Sequence, residues 1–174
     1  MVSARLVHVL ERSKWLVPSQ SGFRRRRGTI DNLLKLETAI REVFVRKKHL
    51  GSIFFDIEKA YDRTWRHEIL EHLSDIGLKG NSPLFIKNFL QTIFRIRVGN
   101  ISSDNFNQQE GVPQGSVLIV LLFIIKINGI VSKLLAYVNS TLFVDDTQIH
   151  CAGKHMGFIQ RQLQTAVNNM TDWA

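Results

Sequence analysis

The sequence predicts an α/β (α+β) fold in which a small antiparallel sheet packs on helices, and three observations carry that expectation. Segments with apolar residues at helical spacing are interleaved with short runs rich in aromatic and β-branched residues, which read as strands. Two of these runs, Thr141-Leu142-Phe143-Val144 and Thr147-Gln148-Ile149-His150, are separated only by Asp145-Asp146, as in a tight hairpin with acids at its tip. The length of 174 residues, with 44% hydrophobic and 22% charged side chains, fits one domain burying roughly two-thirds of its unfolded surface. Disorder, collagen and a small disulfide scaffold are excluded.

From the N-terminus, Leu6, Val9, Leu10 and Trp15 recur at helical spacing, and a first helix is expected to end near Val17-Pro18. A turn with a basic cluster follows, Gln20-Ser21-Gly22-Phe23-Arg24-Arg25-Arg26-Arg27-Gly28. Thr29 is read as the N-cap of a long helix with Ile30, Leu33, Leu34, Ile40, Val43 and Phe44 on its apolar side. Ser52-Ile53-Phe54-Phe55-Asp56 reads as a buried strand ending in a carboxylate. Trp65, Ile69, Leu70, Leu73 and Ile76 define a helix stopping at Gly77, and Asn81-Ser82-Pro83 caps another holding Phe85, Ile86, Phe89, Leu90 and Ile93. Phe94 to Val98 alternates apolar and basic residues, a strand with one wet face, and turns at Gly99-Asn100 into a second strand around Ile101 to Phe106. Gly111-Val112-Pro113-Gln114-Gly115-Ser116 is a loop feeding an apolar helix from Val117 to about Leu135. An amphipathic helix bearing Ile159, Leu163, Val167 and Met170 closes the chain.

The charge is strongly uneven. There are 23 Lys and Arg against 15 Asp and Glu, a net charge of +8, with a pI near 10.0. Residues 1–50 carry twelve basic and four acidic side chains, the whole of the excess. That balance points to an anionic partner such as nucleic acid. The lone Cys151 cannot form an internal disulfide, which suits a reducing compartment and excludes a Cys-rich zinc module. The N-terminus lacks a secretory pattern, and the longest apolar run, Val117 to Ile125, falls short of the roughly 20 residues a bilayer requires. An intracellular protein of the nucleus or cytoplasm is expected, neither secreted nor transmembrane.

Asp56 alone, or Asp145-Asp146 alone, is ordinary turn chemistry. Together they are less so, because several carboxylates brought close repel one another unless a cation neutralises them. If Asp56 comes near Asp145, the oxygen ligands suit Mg2+, with Mn2+ as the alternative, since such hard ions keep some water and bind substrate phosphates. Two ions about 3.5–4 Å apart can activate an attacking hydroxyl and stabilise a leaving pyrophosphate.

At these residues the sequence resembles a known family. Phe55-Asp56-Ile57-Glu58-Lys59-Ala60-Tyr61-Asp62, then Gly111-Val112-Pro113-Gln114-Gly115-Ser116-Val117-Leu118, then Phe143-Val144-Asp145-Asp146 resemble motifs A, B and C of reverse transcriptases, in the family's order. Gln20-Ser21-Gly22-Phe23-Arg24 with Thr29-Ile30-Asp31 is similar to the fingers signature of non-LTR, jockey-type retrotransposon enzymes. The resemblance implies a palm-type polymerase domain over 51–174, with motifs A (53–62), B (111–118) and C (143–146), and partial fingers over 1–50. It implies an RNA-directed DNA polymerase that takes an RNA template, a DNA primer and dNTPs.

By the same resemblance, Asp56 and Asp145 are the principal Mg2+ ligands, Asp146 supports them, and the backbone carbonyl of Ile57 is a further ligand. Tyr61 matches the ring that excludes a ribose 2′-OH; Gln114 and Gly115 match the nucleotide-pocket loop. Arg24 matches the fingers arginine that meets the triphosphate or template, and arginine's planar fork suits phosphate. Arg25, Arg26 and Arg27 are expected on phosphates, and Arg95 and Arg97 on template or primer, with a wet sheet face as the equal alternative for that last pair.

The chain departs from the family at Ile119 and Val120, which replace Ser-Pro, at Ile124 for Asn, at Lys126 where an aromatic is common, and at Val144 for alanine. Met1 falls partway into the fingers, and a thumb is absent from the expected map. Two other readings stay open: a truncated remnant that binds RNA without catalysis, and an RNA-directed RNA polymerase palm. Tyr61 and the Phe-Val-Asp-Asp sequence favour DNA synthesis over the latter.

Overall fold

A computed structural model describes residues 2–108, 111–112 and 115–173. In chain order they form α1 (Val2–Arg12), α2 (Thr29–Val45), β1 (His49–Phe55), α3 (Arg66–Asp75) and α4 (Ser82–Leu90). Four two-residue strands follow: β2 (Ile93–Phe94), β3 (Arg97–Val98), β4 (Ile101–Ser102) and β5 (Phe106–Asn107). Then come α5 (Val117–Ile127), a 3-10 segment (Asn128–Lys133), β6 (Val138–Phe143), β7 (Asp146–Gly153) and α6 (Met156–Trp173). The chain divides into two compact units, one of Met1–Trp15 with Lys59–Lys126 and one of Leu16–Glu58 with Ile127–Ala174.

The second unit is built on an antiparallel sheet of order β1-β7-β6. Alternation along β7 sends Thr147, Ile149, Cys151 and Gly153 to one face and Asp146, Gln148 and His150 to the other. On the first face lies α6, whose buried stripe is Ile159, Leu163, Ala166 and Met170. The approach is close because Gly51 has no side chain: a Cβ there would lie 2.6 Å from Ile159 Cγ2. Helix α2 packs against β1 and β6. Its N-terminus is held by Asp31, whose carboxylate accepts the Gly28 N–H at 2.6 Å. Gly28, one residue before the expected Thr29, is therefore the cap.

In the first unit, α3 packs on α4, with Ile69, Leu73, Ile86 and Leu90 fully buried. Leu6 and Leu10 of α1 are buried. Every residue from Leu118 to Ile125 in α5 is buried except Val120, which is half-buried. A helix this apolar around its circumference belongs inside a fold. Among the described residues no helix is long and apolar enough to cross a membrane.

Several boundaries differ from expectation. Helix α1 stops at Arg12, before the chain reaches Trp15, and Lys14 takes a left-handed φ of 53°. Ile30, Leu33, Leu34, Ile40 and Phe44 of α2 are exposed rather than buried. The inward stripe is instead Asn32, Leu36, Ala39 and Val43, at spacings of four, three and four, and it meets a polar sheet face. Helix α5 ends at Ile127, and its expected continuation is a 3-10 segment. The strand expected from Phe94 to Val98 is broken in two, because the Ile96 N–H bonds the Ser103 hydroxyl at 3.0 Å instead of a ladder carbonyl. Both pieces are exposed, so neither has a dry side.

Candidate active site

Strand β1 ends at Phe55, paired with Thr147, and Asp56 is the next residue. Continuing that register sets Asp56 across from Asp146, the first residue of β7. Phe143 pairs with Asp146, so Val144-Asp145 is the two-residue turn of the hairpin. The turn thus falls one residue earlier than the sequence suggested, and Asp146 belongs to the strand. The three acids share one end of one sheet, in one unit. Asp56 and Asp146 are exposed and Asp145 half-buried. Among the described residues no hydrogen bond or ion pair engages any of their side chains.

The turn is strained. Val144 has φ of +62°, a left-handed conformation that two-residue hairpins assign to glycine or asparagine and that a β-branched residue rarely adopts. Against it sits the loop 19–22. The Ser21 N–H donates to the Leu142 carbonyl at 2.9 Å, and the Leu142 N–H donates to the Ser19 carbonyl at 2.9 Å. The Asn32 amide also reaches the Leu142 carbonyl, at 3.0 Å, and its Oδ1 accepts from the Ser21 hydroxyl at 2.7 Å. The fully buried Gln20 accepts the Val144 N–H at 3.1 Å. The sequence marks Gln20 and Ser21 only as part of the fingers signature, with no role of their own, and gives no signal for Asn32.

Behind the acids the sheet carries a polar row. Gln148 donates to the Ser52 hydroxyl at 2.6 Å and accepts from Thr141 at 2.9 Å. Its amide nitrogen also lies 3.2 Å from His150 Nδ1. Burial holds the His150 pKa below its ordinary 6.5 and so favours the neutral ring.

The basic loop partly braces itself. Arg24 donates to the Val17 carbonyl at 3.0 Å and Arg27 to the Pro18 carbonyl at 2.6 Å. Lys35 joins them at Pro18, and burial first, then the Arg27 charge, lower its pKa. Arg25 and Arg26 are exposed.

Tyr61, Gly115, Arg95 and Arg97 lie in the first unit; Gln114 lies outside the described residues. The half-buried Tyr61 ring sits 5.1 Å from that of Phe123, at 44°. The segment 111–112 is fastened to the chain around Tyr61 there: the Val112 N–H donates to the Tyr61 carbonyl at 2.9 Å and Arg66 Nε to the Gly111 carbonyl at 2.6 Å. Gly111 is required, because its φ is +76° and a Cβ would lie 2.6 Å from the Asp62 carbonyl oxygen. Gly115 and both strand arginines are exposed. Arg97 Nε donates to the Gly99 carbonyl at 2.9 Å.

Among the described residues no three His, Cys, Asp or Glu side chains close into a cage for a metal ion. The donor chemistry nonetheless fits a hard divalent ion. Asp56, Asp145 and Asp146 offer only oxygen, and Mg2+ is held through one or two carboxylates while keeping water and substrate phosphate as its other ligands.

A helix-backed antiparallel sheet of this order is a palm-type fold, and solved structures share it. Telomerase from Candida tropicalis, in complex with a TWJ fragment of telomeric RNA, aligns at TM-score 0.70 and 15% identity over 99% of this chain and 30% of its own. The Candida albicans telomerase aligns at 0.69 and 13% identity, over 96% and 31%. The family model for reverse transcriptase (RNA-dependent DNA polymerase) matches residues 1–174, and the chain belongs to that family. It is 29% identical, over 71% of its length, to a probable RNA-directed DNA polymerase from transposon BS of Drosophila melanogaster. It is 33% identical, over 57%, to the RNA-directed DNA polymerase of the mobile element jockey from Drosophila funebris. The chain spans only 14% and 11% of those two relatives.

Proposed function

We propose that the chain forms the acid-bearing part of an RNA-directed DNA polymerase of a jockey-type retrotransposon, extending a DNA primer on an RNA template. The observation that carries this reading is the register that brings Asp56 beside Asp146, with Asp145 in the turn between the paired strands. In this reading Asp56, Asp145 and the Ile57 carbonyl hold Mg2+, and Asp146 supplies further negative charge. When bound, that ion supplies Lewis-acid stabilisation of the charge developing at the α-phosphate and on the leaving pyrophosphate.

The remaining roles belong to side chains. Tyr61, backed by Phe123, bounds the sugar and rejects a 2′-OH; Gln114 and Gly115 border the incoming dNTP. The exposed Arg25 and Arg26 meet phosphates, with Arg24 and Arg27 behind them, and Arg95 and Arg97 follow the template-primer backbone. We assign 1–50 to the fingers side and 51–174 to the palm, in an enzyme acting in the nucleus or cytoplasm.

The test is primer extension on poly(rA)/oligo(dT) with Mg2+, using this chain and a version lengthened to match its relatives. Asp145→Asn in the longer protein is predicted to lower synthesis by at least ~100-fold, the scale on which loss of transition-state charge stabilisation acts, while RNA binding is retained. Undiminished synthesis would sink the ligand assignment. Faster use of rNTP than dNTP by the unmutated protein would turn the reading to an RNA polymerase.

A further inference from the structure

Gln20 lies 124 residues from Val144 in sequence, yet it bonds to the turn that carries Asp145. Its Oε1 accepts two backbone N–H groups, from Gly22 at 2.8 Å and from Val144 at 3.1 Å. A single side-chain atom therefore ties the loop 19–22 to the hairpin. The same stretch pairs with Leu142 in a parallel bridge on the strand leading into the turn.

Three further features point the same way. Gln20 is fully buried, and its amide Nε2 has no partner among the described residues. A buried amide nitrogen left unbonded is unfavourable, so the side chain is held by its oxygen end. Gly22 approaches so closely that a Cβ would stand 2.7 Å from Val144 Cγ2 and 2.8 Å from the Val144 nitrogen. Val144 itself keeps a backbone conformation that an isolated valine avoids. Strain of that kind persists only where surrounding contacts over-determine it.

We infer that Gln20 is a positioning residue: with Gly22 it clamps the strained Val144-Asp145 turn and so fixes where the Asp145 carboxylate stands. The inference rests on the reading of Asp145 as a metal ligand. It also ties the start of the basic loop to the metal-holding end of the sheet, so that phosphate binding at Arg25 and Arg26 and ion binding at Asp145 share one rigid connection. Gln20 touches neither substrate nor ion in this account; it acts through the turn.

The test has two readouts on the 174-residue chain. Amide hydrogen exchange reports the clamp itself. In Gln20→Ala, protection of the Val144 N–H is predicted to fall roughly tenfold, as loss of one hydrogen bond dictates, while Ile149 and Cys151 in the same sheet stay protected. Mn2+ titration followed by electron paramagnetic resonance reports the positioning. Gln20→Ala is predicted to weaken Mn2+ binding several-fold, and Asp145→Asn to weaken it more.

Unchanged exchange at Val144 overturns the clamp. Faster exchange with undiminished Mn2+ affinity overturns the positioning role. If Asp145→Asn leaves Mn2+ binding intact, the metal reading fails, and the clamp is then judged on exchange alone. Should Gln20→Ala not fold, Gly22→Ala takes its place: the added methyl presses on Val144 and is predicted to give the same pair of changes.

Discussion

The two faces of the three-stranded sheet are both covered by a helix, but by opposite chemistry. On one, Ile149, Cys151 and Gly153 meet α6 through apolar atoms, packed so closely that Gly51 leaves no room for a methyl group. On the other, Gln148 is hydrogen-bonded to Ser52 and Thr141 and its amide nitrogen lies 3.2 Å from His150 Nδ1, two residues along the same strand. That side is less tightly filled. A cavity of about 450 Å3 lies beside α2, lined by Lys35, Thr38, Asn139, Thr141 and His150 among others. The faces divide the work: the α6 face supplies cohesion, and the α2 face carries the polar row that runs to Asp146 and Asp56.

Substitutions on each face separate the two roles. The largest effect is expected on the apolar face, where Ile149 is wholly buried. Ile149→Ala should cost about 3 kcal/mol, the sum of lost transfer energy and a cavity, measured as a shift in urea midpoint without a change in slope. A loss under about 1 kcal/mol would mean that this face is not the cohesive one.

A smaller effect belongs to the polar face and depends on pH. The His150 pKa is lowered in the fold by burial, so the folded state favours the neutral ring. Its contribution is therefore complete above the ordinary value of 6.5 and declines as the pH falls through that value towards the lower folded pKa. Denaturation midpoints at pH 7.5 and 5.5 should show this loss, and His150→Gln should remove much of the difference. Equal pH dependence in both proteins would show that another group titrates.

The smallest effect is a gain. Thr147 is on the apolar face, and its buried hydroxyl has no partner among the described residues. Thr147→Val keeps the shape and removes the orphan group, and should raise stability by about 1 kcal/mol. Destabilisation would mean that the hydroxyl is bonded in solution.

Much of this was legible in the sequence where a local rule sufficed. The periodicity of Ile69 and Leu73, of Ile159 and Leu163, and the break after Phe55 each follow from spacing within a few residues. Where that failed for α2 and for Gln20, a partner distant in sequence decides the outcome. Helix α2 offered an apolar stripe through Leu33 and Phe44, but the polar sheet face selected Asn32 and Val43 instead. The hairpin turn was displaced by one residue because Val144 occupies a left-handed position that its side chain argues against. Gln20 stood out only as part of the fingers signature, and its role was not legible because the reason for its burial lies across the fold, at Val144.

Whether Asp56, Asp145 and Asp146 form one divalent-ion site is decided by paramagnetic broadening with Mn2+ in a 15N-labelled sample. Substoichiometric Mn2+ is expected to broaden the amide signals of Asp56, Ile57, Asp145 and Asp146 first, to leave those of His49 and Gly153 at the far end of the same sheet sharp, and to lose this pattern in Asp56→Asn. Broadening centred elsewhere, or a pattern that survives Asp56→Asn, would contradict the single site.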